Sequence, residues 1–159
     1  MNSKEITLFG FWASSATWRI RAALHYKQLA FNEISIDIVK KDRGWVDYQT
    51  KINPMGLVPA IKLPESGERV FSESLPILEL LEETYPDAPK LMPTCSIDKH
   101  RMRQICEIIN AGMQPLQNLS TLRVSRAFYI LLNPLFMSCF KNKTDFLRRF
   151  LISLLIDRS

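Results

Sequence analysis

Ser14-Ser15-Ala16-Thr17-Trp18-Arg19-Ile20-Arg21 follows closely on the apolar run Ile6-Thr7-Leu8-Phe9. A β-rich run gives way to small hydroxyl residues and then to apolar positions at helical spacing, which predicts a strand entering a helix. The first N–H groups of a helix have no partner within it, and its backbone dipoles favour an anion at that end. Serine at such a junction caps the helix; its hydroxyl can equally donate a hydrogen bond to a ligand. For Ser14 and Ser15 both uses stand open on sequence alone.

Downstream, residues 17–28 carry Trp18, Ile20, Ala23 and Leu24 on one helical face, continued by Leu29. Residues 32–39 alternate through Ile34, Ile36 and Ile38, the pattern of a half-buried strand. Residues 40–53 are charged and irregular, with a helical turn around Trp45 and Tyr48. Residues 59–63 read as a third strand, Glu65-Ser66-Gly67-Glu68 as a turn, and residues 69–72 as a fourth strand returning as a hairpin. Residues 74–84 form an amphipathic helix through Leu75, Leu78 and Leu81. The resulting order, βαβαββα, predicts a mixed sheet covered by helices. Prolines 86, 89 and 93 mark a connection. Residues 98–112 then repeat Met102, Ile105, Cys106 and Ile109 at helical spacing, the beginning of a second, helical region.

Of 159 residues, 47% are apolar and 23% charged, the balance of a globular protein with side chains enough for a core. The net charge of +5 is local. Residues 1–122 carry 14 basic and 14 acidic side chains, whereas residues 123–159 carry seven and two. A basic isoelectric point is therefore no nucleic-acid footprint on the folded part. Cys95, Cys106 and Cys139 form no CxxC pair, and His25 and His100 have no metal-like spacing, so neither a disulfide framework nor a metal site is expected. No charged-then-apolar leader precedes Ile6, which makes the cytoplasm the default compartment. Residues 127–140 are uncharged, but a spanning helix needs about 20 apolar residues, so membrane insertion is not expected.

Three further stretches bear on function: Asn53-Pro54-Met55-Gly56-Leu57-Val58-Pro59, the run from Glu73-Ser74-Leu75-Pro76 to Glu83-Thr84, and Met113-Gln114-Pro115-Leu116-Gln117-Asn118-Leu119. With the Ser14 junction they resemble the zeta class of soluble glutathione transferases, which includes maleylacetoacetate isomerase. The resemblance covers residues 5–122 and ends there.

It implies an α/β thioredoxin-like domain over residues 1–85, a linker over 86–96, the start of an all-α domain over 97–122, and a divergent basic and apolar tail over 123–159. Only part of the family's helical domain is recognisable, as in a shortened or alternatively terminated form. The resemblance also implies glutathione as cofactor, held by Ser14, Ser15, Thr17, Val58, Pro59, Glu73 and Ser74, with Pro59 in a cis peptide bond. Ser14, Ser15 and Arg19 take the catalytic roles; Ser14 is the favoured hydrogen-bond donor to the thiolate and Ser15 its close alternative. Gln114, Asn118 and Ser120 fall at the substrate end. Ala16 stands where the family pattern has cysteine, and Glu73 where the zeta pattern more often has glutamine.

The implied activity is glutathione-dependent isomerisation of maleylacetoacetate to fumarylacetoacetate, in phenylalanine and tyrosine breakdown, by a homodimer. Two other functions remain open at this stage. One is a glutathione-binding module without turnover. The other is membrane-surface association through the basic tail, whose Phe146-Leu147-Arg148-Arg149-Phe150-Leu151-Ile152 run could lie on an anionic bilayer.

Overall fold

β1 (Ile6–Gly10) organises the fold because its alternate side chains enter two separate cores. In this computed structural model, which describes residues 5–117 and Thr121, Ile6 and Leu8 face one apolar cluster, while Phe9, with Phe11 just beyond, faces the other. Asn118, Ser120 and the whole tail, with its apolar stretch at 127–140, lie outside the described residues. The chain divides into two units, residues 1–102 and 103–159.

The first unit holds a four-stranded sheet in the order β2-β1-β3-β4. β2 (Phe31–Ser35) runs parallel to β1, with Ile6 opposite Phe31. β3 (Ala60–Lys62) is antiparallel to β1, and β4 (Phe71–Ser72) is antiparallel to β3. α1 (Ser15–Tyr26) and α3 (Ser74–Thr84) cover one face, where Ile20, Ala23, Leu24, Ile77 and Leu81 meet Leu8 and Ile61. α2 (Arg43–Lys51) covers the other through Tyr48. This is the thioredoxin-like βαβαββα arrangement that the sequence predicts.

Local differences have local causes. The charged stretch read as irregular contains a nine-residue helix. Asp42 initiates it, its Oδ1 accepting the Trp45 N–H at 3.1 Å. The second strand begins at Phe31 and ends at Ser35, so Ile36 and Ile38 fall beyond it. Ile34 is 46% exposed because β2 is an edge strand; Ile36 is buried against α2 from the following loop.

The described part of the second unit continues α4 (Ser96–Glu107), whose start lies in the first unit. A π-helical stretch, Ile108–Met113, leads to α5 (Gln114–Gln117).

One polar contact is built into the apolar face of α1. Lys27 follows Ile20, Ala23 and Leu24 at helical spacing, and its side chain is fully buried. Its Nζ donates to Glu82 Oε2 at 2.7 Å and to the Pro89 carbonyl at 3.2 Å. Glu82 also accepts the Leu91 N–H at 3.0 Å and the Met92 N–H at 3.4 Å. A buried charge needs both a partner and hydrogen bonds. Here they come from α3 and from the chain leaving it.

Candidate functional site

Ser14 precedes α1 with extended backbone angles, φ −81° and ψ 116°, and caps the helix. Its Oγ accepts the Thr17 N–H at 3.2 Å, and its carbonyl accepts the Trp18 N–H at 3.0 Å. A serine hydroxyl has one proton and two acceptor positions. Capping uses an acceptor and leaves the proton, so the two uses open on sequence alone are compatible in one side chain. Ser15, the first residue of α1, is exposed; Ala16 behind it is buried.

Thr17 sits differently from its neighbours. It is fully buried, and its Oγ1 accepts the Phe11 N–H at 3.4 Å. Its side chain therefore braces the turn from β1 into α1. The same turn needs Gly10, where an added Cβ would lie 2.6 Å from both Glu33 Oε1 and Thr17 Cγ2.

The loop before β3 is fixed by polar contacts that local sequence patterns did not signal. The Tyr48 hydroxyl and the Asn53 side-chain amide both donate to the Leu57 carbonyl, at 2.6 and 2.8 Å. Trp45 Nε1 donates to the Gly56 carbonyl at 3.0 Å, and Gly56 has φ +64° with the Trp45 ring against it. Burial pushes the Tyr48 phenol up to about 12, opposed by its hydrogen bond with Asn53. Tyr48 is thus a neutral structural donor. These contacts present Val58, and the Val58–Pro59 bond is cis, as the resemblance implies. Among the described residues nothing pairs with the Val58 N–H or C=O, which leaves both backbone groups available to a peptide-like ligand.

Glu73 and Ser74 form the start of α3. Glu73 adopts φ +69° and ψ 119°, unusual for a residue with a side chain, and no side chain caps the helix. The first α-helical bond formed there is from the Ile77 N–H to the Glu73 carbonyl, at 3.0 Å. Pro76 contributes no N–H. That leaves the N–H groups of Ser74 and Leu75 without partners among the described residues. Ser74 is buried, and its Oγ accepts a hydrogen bond from Arg19 Nη1 at 2.9 Å.

Arg19 thereby joins the first turns of α1 and α3, and so the Ser14 junction to the Glu73–Ser74 junction. The donor set fits glutathione. A hydroxyl and helix-end amides suit a thiolate, the unpaired Val58 backbone groups suit the cysteinyl unit, and uncapped N–H groups with the Ser74 hydroxyl suit a carboxylate. The exposed Glu73 carboxylate suits an ammonium. Gln114 opens α5 in the second unit.

A βαβαββα unit with a serine capping α1 and two open N–H groups at the start of α3 places the first unit in the thioredoxin-like group. Residues 8–89 match the sequence profile of the glutathione S-transferase N-terminal domain, and the chain belongs to that family. Maleylacetoacetate isomerase of Dictyostelium discoideum is 39% identical over 124 residues, 77% of this chain and 54% of that protein. The Rattus norvegicus maleylacetoacetate isomerase is 38% identical over 126 residues, 77% and 56% of the two chains. The chain thus spans about half the length of the curated relatives it matches. Among solved structures, maleylacetoacetate isomerase from Anaeromyxobacter dehalogenans with bound GSH in its active site superposes with a TM-score of 0.64 at 34% identity, over 77% of this chain and 56% of that one. A bacterial zeta-class maleyl pyruvate isomerase gives 0.66 at 29% identity, over 77% and 56%.

Proposed function

We propose that this chain contributes the glutathione site of a zeta-type isomerase that converts maleylacetoacetate to fumarylacetoacetate, in the cytoplasm, in phenylalanine and tyrosine breakdown. The observation that carries the reading is the Arg19–Ser74 hydrogen bond, which joins two serine-bearing helix starts. Bound glutathione supplies a sulfur nucleophile that adds reversibly to the cis double bond, so that the bond can turn before the sulfur leaves.

The residues have separate tasks in this scheme. Ser14 donates a hydrogen bond from its unused O–H to the thiolate, with the Ser15 and Ala16 N–H groups at the start of α1 adding to the positive field; Ser15 Oγ is the alternative donor. A free thiol has a pKa near 8.5 and is mostly protonated at neutral pH, so stabilising the anion raises the reactive fraction. Val58 and Pro59 present backbone to the cysteinyl unit. Glu73 and Ser74 hold the γ-glutamyl end. Ala16 supplies no sulfur, so thiolate stabilisation runs through the hydroxyls and the helix start. Gln114, Asn118 and Ser120 are assigned to the acidic substrate, and the working form is a homodimer.

Retention of the purified chain on immobilised glutathione, with turnover of maleylacetoacetate followed by absorbance, tests the reading. Retention released by free glutathione, together with glutathione-dependent turnover, supports it. A chain that is folded but not retained refutes the site, and retention without turnover refutes the isomerase assignment.

A further inference from the structure

We infer that Arg19 is a positioning residue for the γ-glutamyl carboxylate of glutathione, acting through the Ser74 hydroxyl and not at the sulfur; this rests on the glutathione reading above. The resemblance gives Arg19 a catalytic role beside Ser14 and Ser15. The side chain goes elsewhere: Nη1 donates across to Ser74 Oγ on α3 at 2.9 Å. A guanidinium has donors and no acceptor, so Ser74 must accept in this bond. One acceptor position of a buried hydroxyl is then occupied, and its proton remains for a ligand.

The surroundings of that hydroxyl define what it can receive. Among the described residues no acceptor takes the Ser74 proton. The Ser74 and Leu75 N–H groups are open among the described residues, and Pro76 adds no further donor. An ionised carboxylate accepts through two oxygens and donates nothing, which matches one oriented O–H beside two N–H groups. The positive charge of Arg19, one hydrogen bond away, favours an anion at this position. A neutral amide or hydroxyl on the ligand would gain far less from it.

The test compares two ligands on the full chain by titration calorimetry: glutathione, and 4-aminobutyryl-cysteinylglycine, which lacks the α-carboxylate and keeps the thiol and amine. The unaltered chain is expected to prefer glutathione. Arg19→Met is expected to weaken glutathione about tenfold, the loss for a hydrogen bond supporting a charged group, and to leave the analogue's affinity unchanged. Ser74→Ala is expected to do the same, and the double variant to lose no more than either single one. Ionisation of the bound thiol, read by ultraviolet titration, is expected to stay where it is in Arg19→Met.

Equal weakening of both ligands, additive losses, or a shifted thiol ionisation would overturn the inference while leaving the glutathione site standing. An unaltered chain that binds neither ligand would overturn the site reading and the inference with it. Where Arg19→Met does not melt cooperatively, Arg19→Lys carries the same comparison. In that variant weakening confined to glutathione, or a retained preference, agrees with the geometry, and equal weakening of both ligands overturns it.

Discussion

Replacing Glu82 with glutamine removes one negative charge and almost no volume, and the structure assigns that charge a specific task. Lys27 is wholly buried, and Glu82 Oε2 at 2.7 Å is its counter-charge; the Pro89 carbonyl offers it one neutral acceptor. Breaking a buried pair from one side costs about 3–5 kcal/mol. Because glutamine can still accept a hydrogen bond, Glu82→Gln is expected near the lower end, about 3 kcal/mol. That is a large part of a domain's ~5–15 kcal/mol. Lys27→Met should cost less, about 1–2 kcal/mol, because Glu82 keeps its backbone donors and methionine fills the apolar face.

The same pair sets a pH dependence. Burial pushes the Glu82 carboxyl up, but the hydrogen bonds from Lys27, Leu91 and Met92 outweigh it and hold the group below its ordinary 4.5. A carboxyl lowered in the folded state stabilises above its unfolded value, and that contribution is lost as pH falls through the folded value. Urea unfolding at pH 7 should therefore rank unaltered chain, Lys27→Met, Glu82→Gln in falling stability. The gap between the unaltered chain and Glu82→Gln should narrow below about pH 4. Lys27→Met proving the worse variant, or Glu82→Gln falling within about 0.5 kcal/mol of the unaltered chain, would refute the reasoning.

Ser14→Ala should make bound glutathione about tenfold or more harder to ionise, while Ser15→Ala should have a smaller effect; ultraviolet titration reads both, and equal shifts would remove Ser14 from its role. Ser14→Ala should also cost about 1 kcal/mol in thermal melts through the lost cap on α1, a loss Ser15→Ala does not share. Gly56→Ala places a Cβ 2.8 Å from the Trp45 ring at φ +64°. It should destabilise by about 1–2 kcal/mol from the backbone alone, with a change in tryptophan emission as the ring moves. Glu73→Gly relieves a positive φ on a residue with a side chain. It should stabilise by up to about 1 kcal/mol while lowering retention on immobilised glutathione; a variant with unchanged retention would take Glu73 out of the site.

The parts of the fold legible in the sequence are those whose cause is local. α3 has the same bounds in the sequence pattern and in the structure, because its apolar spacing begins and ends cleanly. α2 shows in the sequence only as a turn because its buried contribution is a single residue, Tyr48, among charged neighbours. The sequence places β2 too late because Ile36 and Ile38 continue an alternation that the edge strand does not use. The serines of the two junctions stood out as residue types, but the contact that joins those junctions spans 55 positions, as does the Lys27–Glu82 pair. No local pattern carries such a contact. One signal was present for the second: a lysine in register with Ile20, Ala23 and Leu24 falls on a buried face and therefore calls for a partner.

The two borders of the sheet are poor templates for growth. β4 is two residues long, and β2 exposes Asn32, Glu33 and Ser35 around a single half-covered isoleucine. Asn32 is tied to Glu5 and Glu33 to Arg21, so an incoming chain would have to displace these contacts as well as meet a charged border. Short or charged borders discourage strand addition between molecules. Protection against fibril-like stacking thus resides in the geometry of the two outer strands, independently of the net charge of the chain and of the ligand.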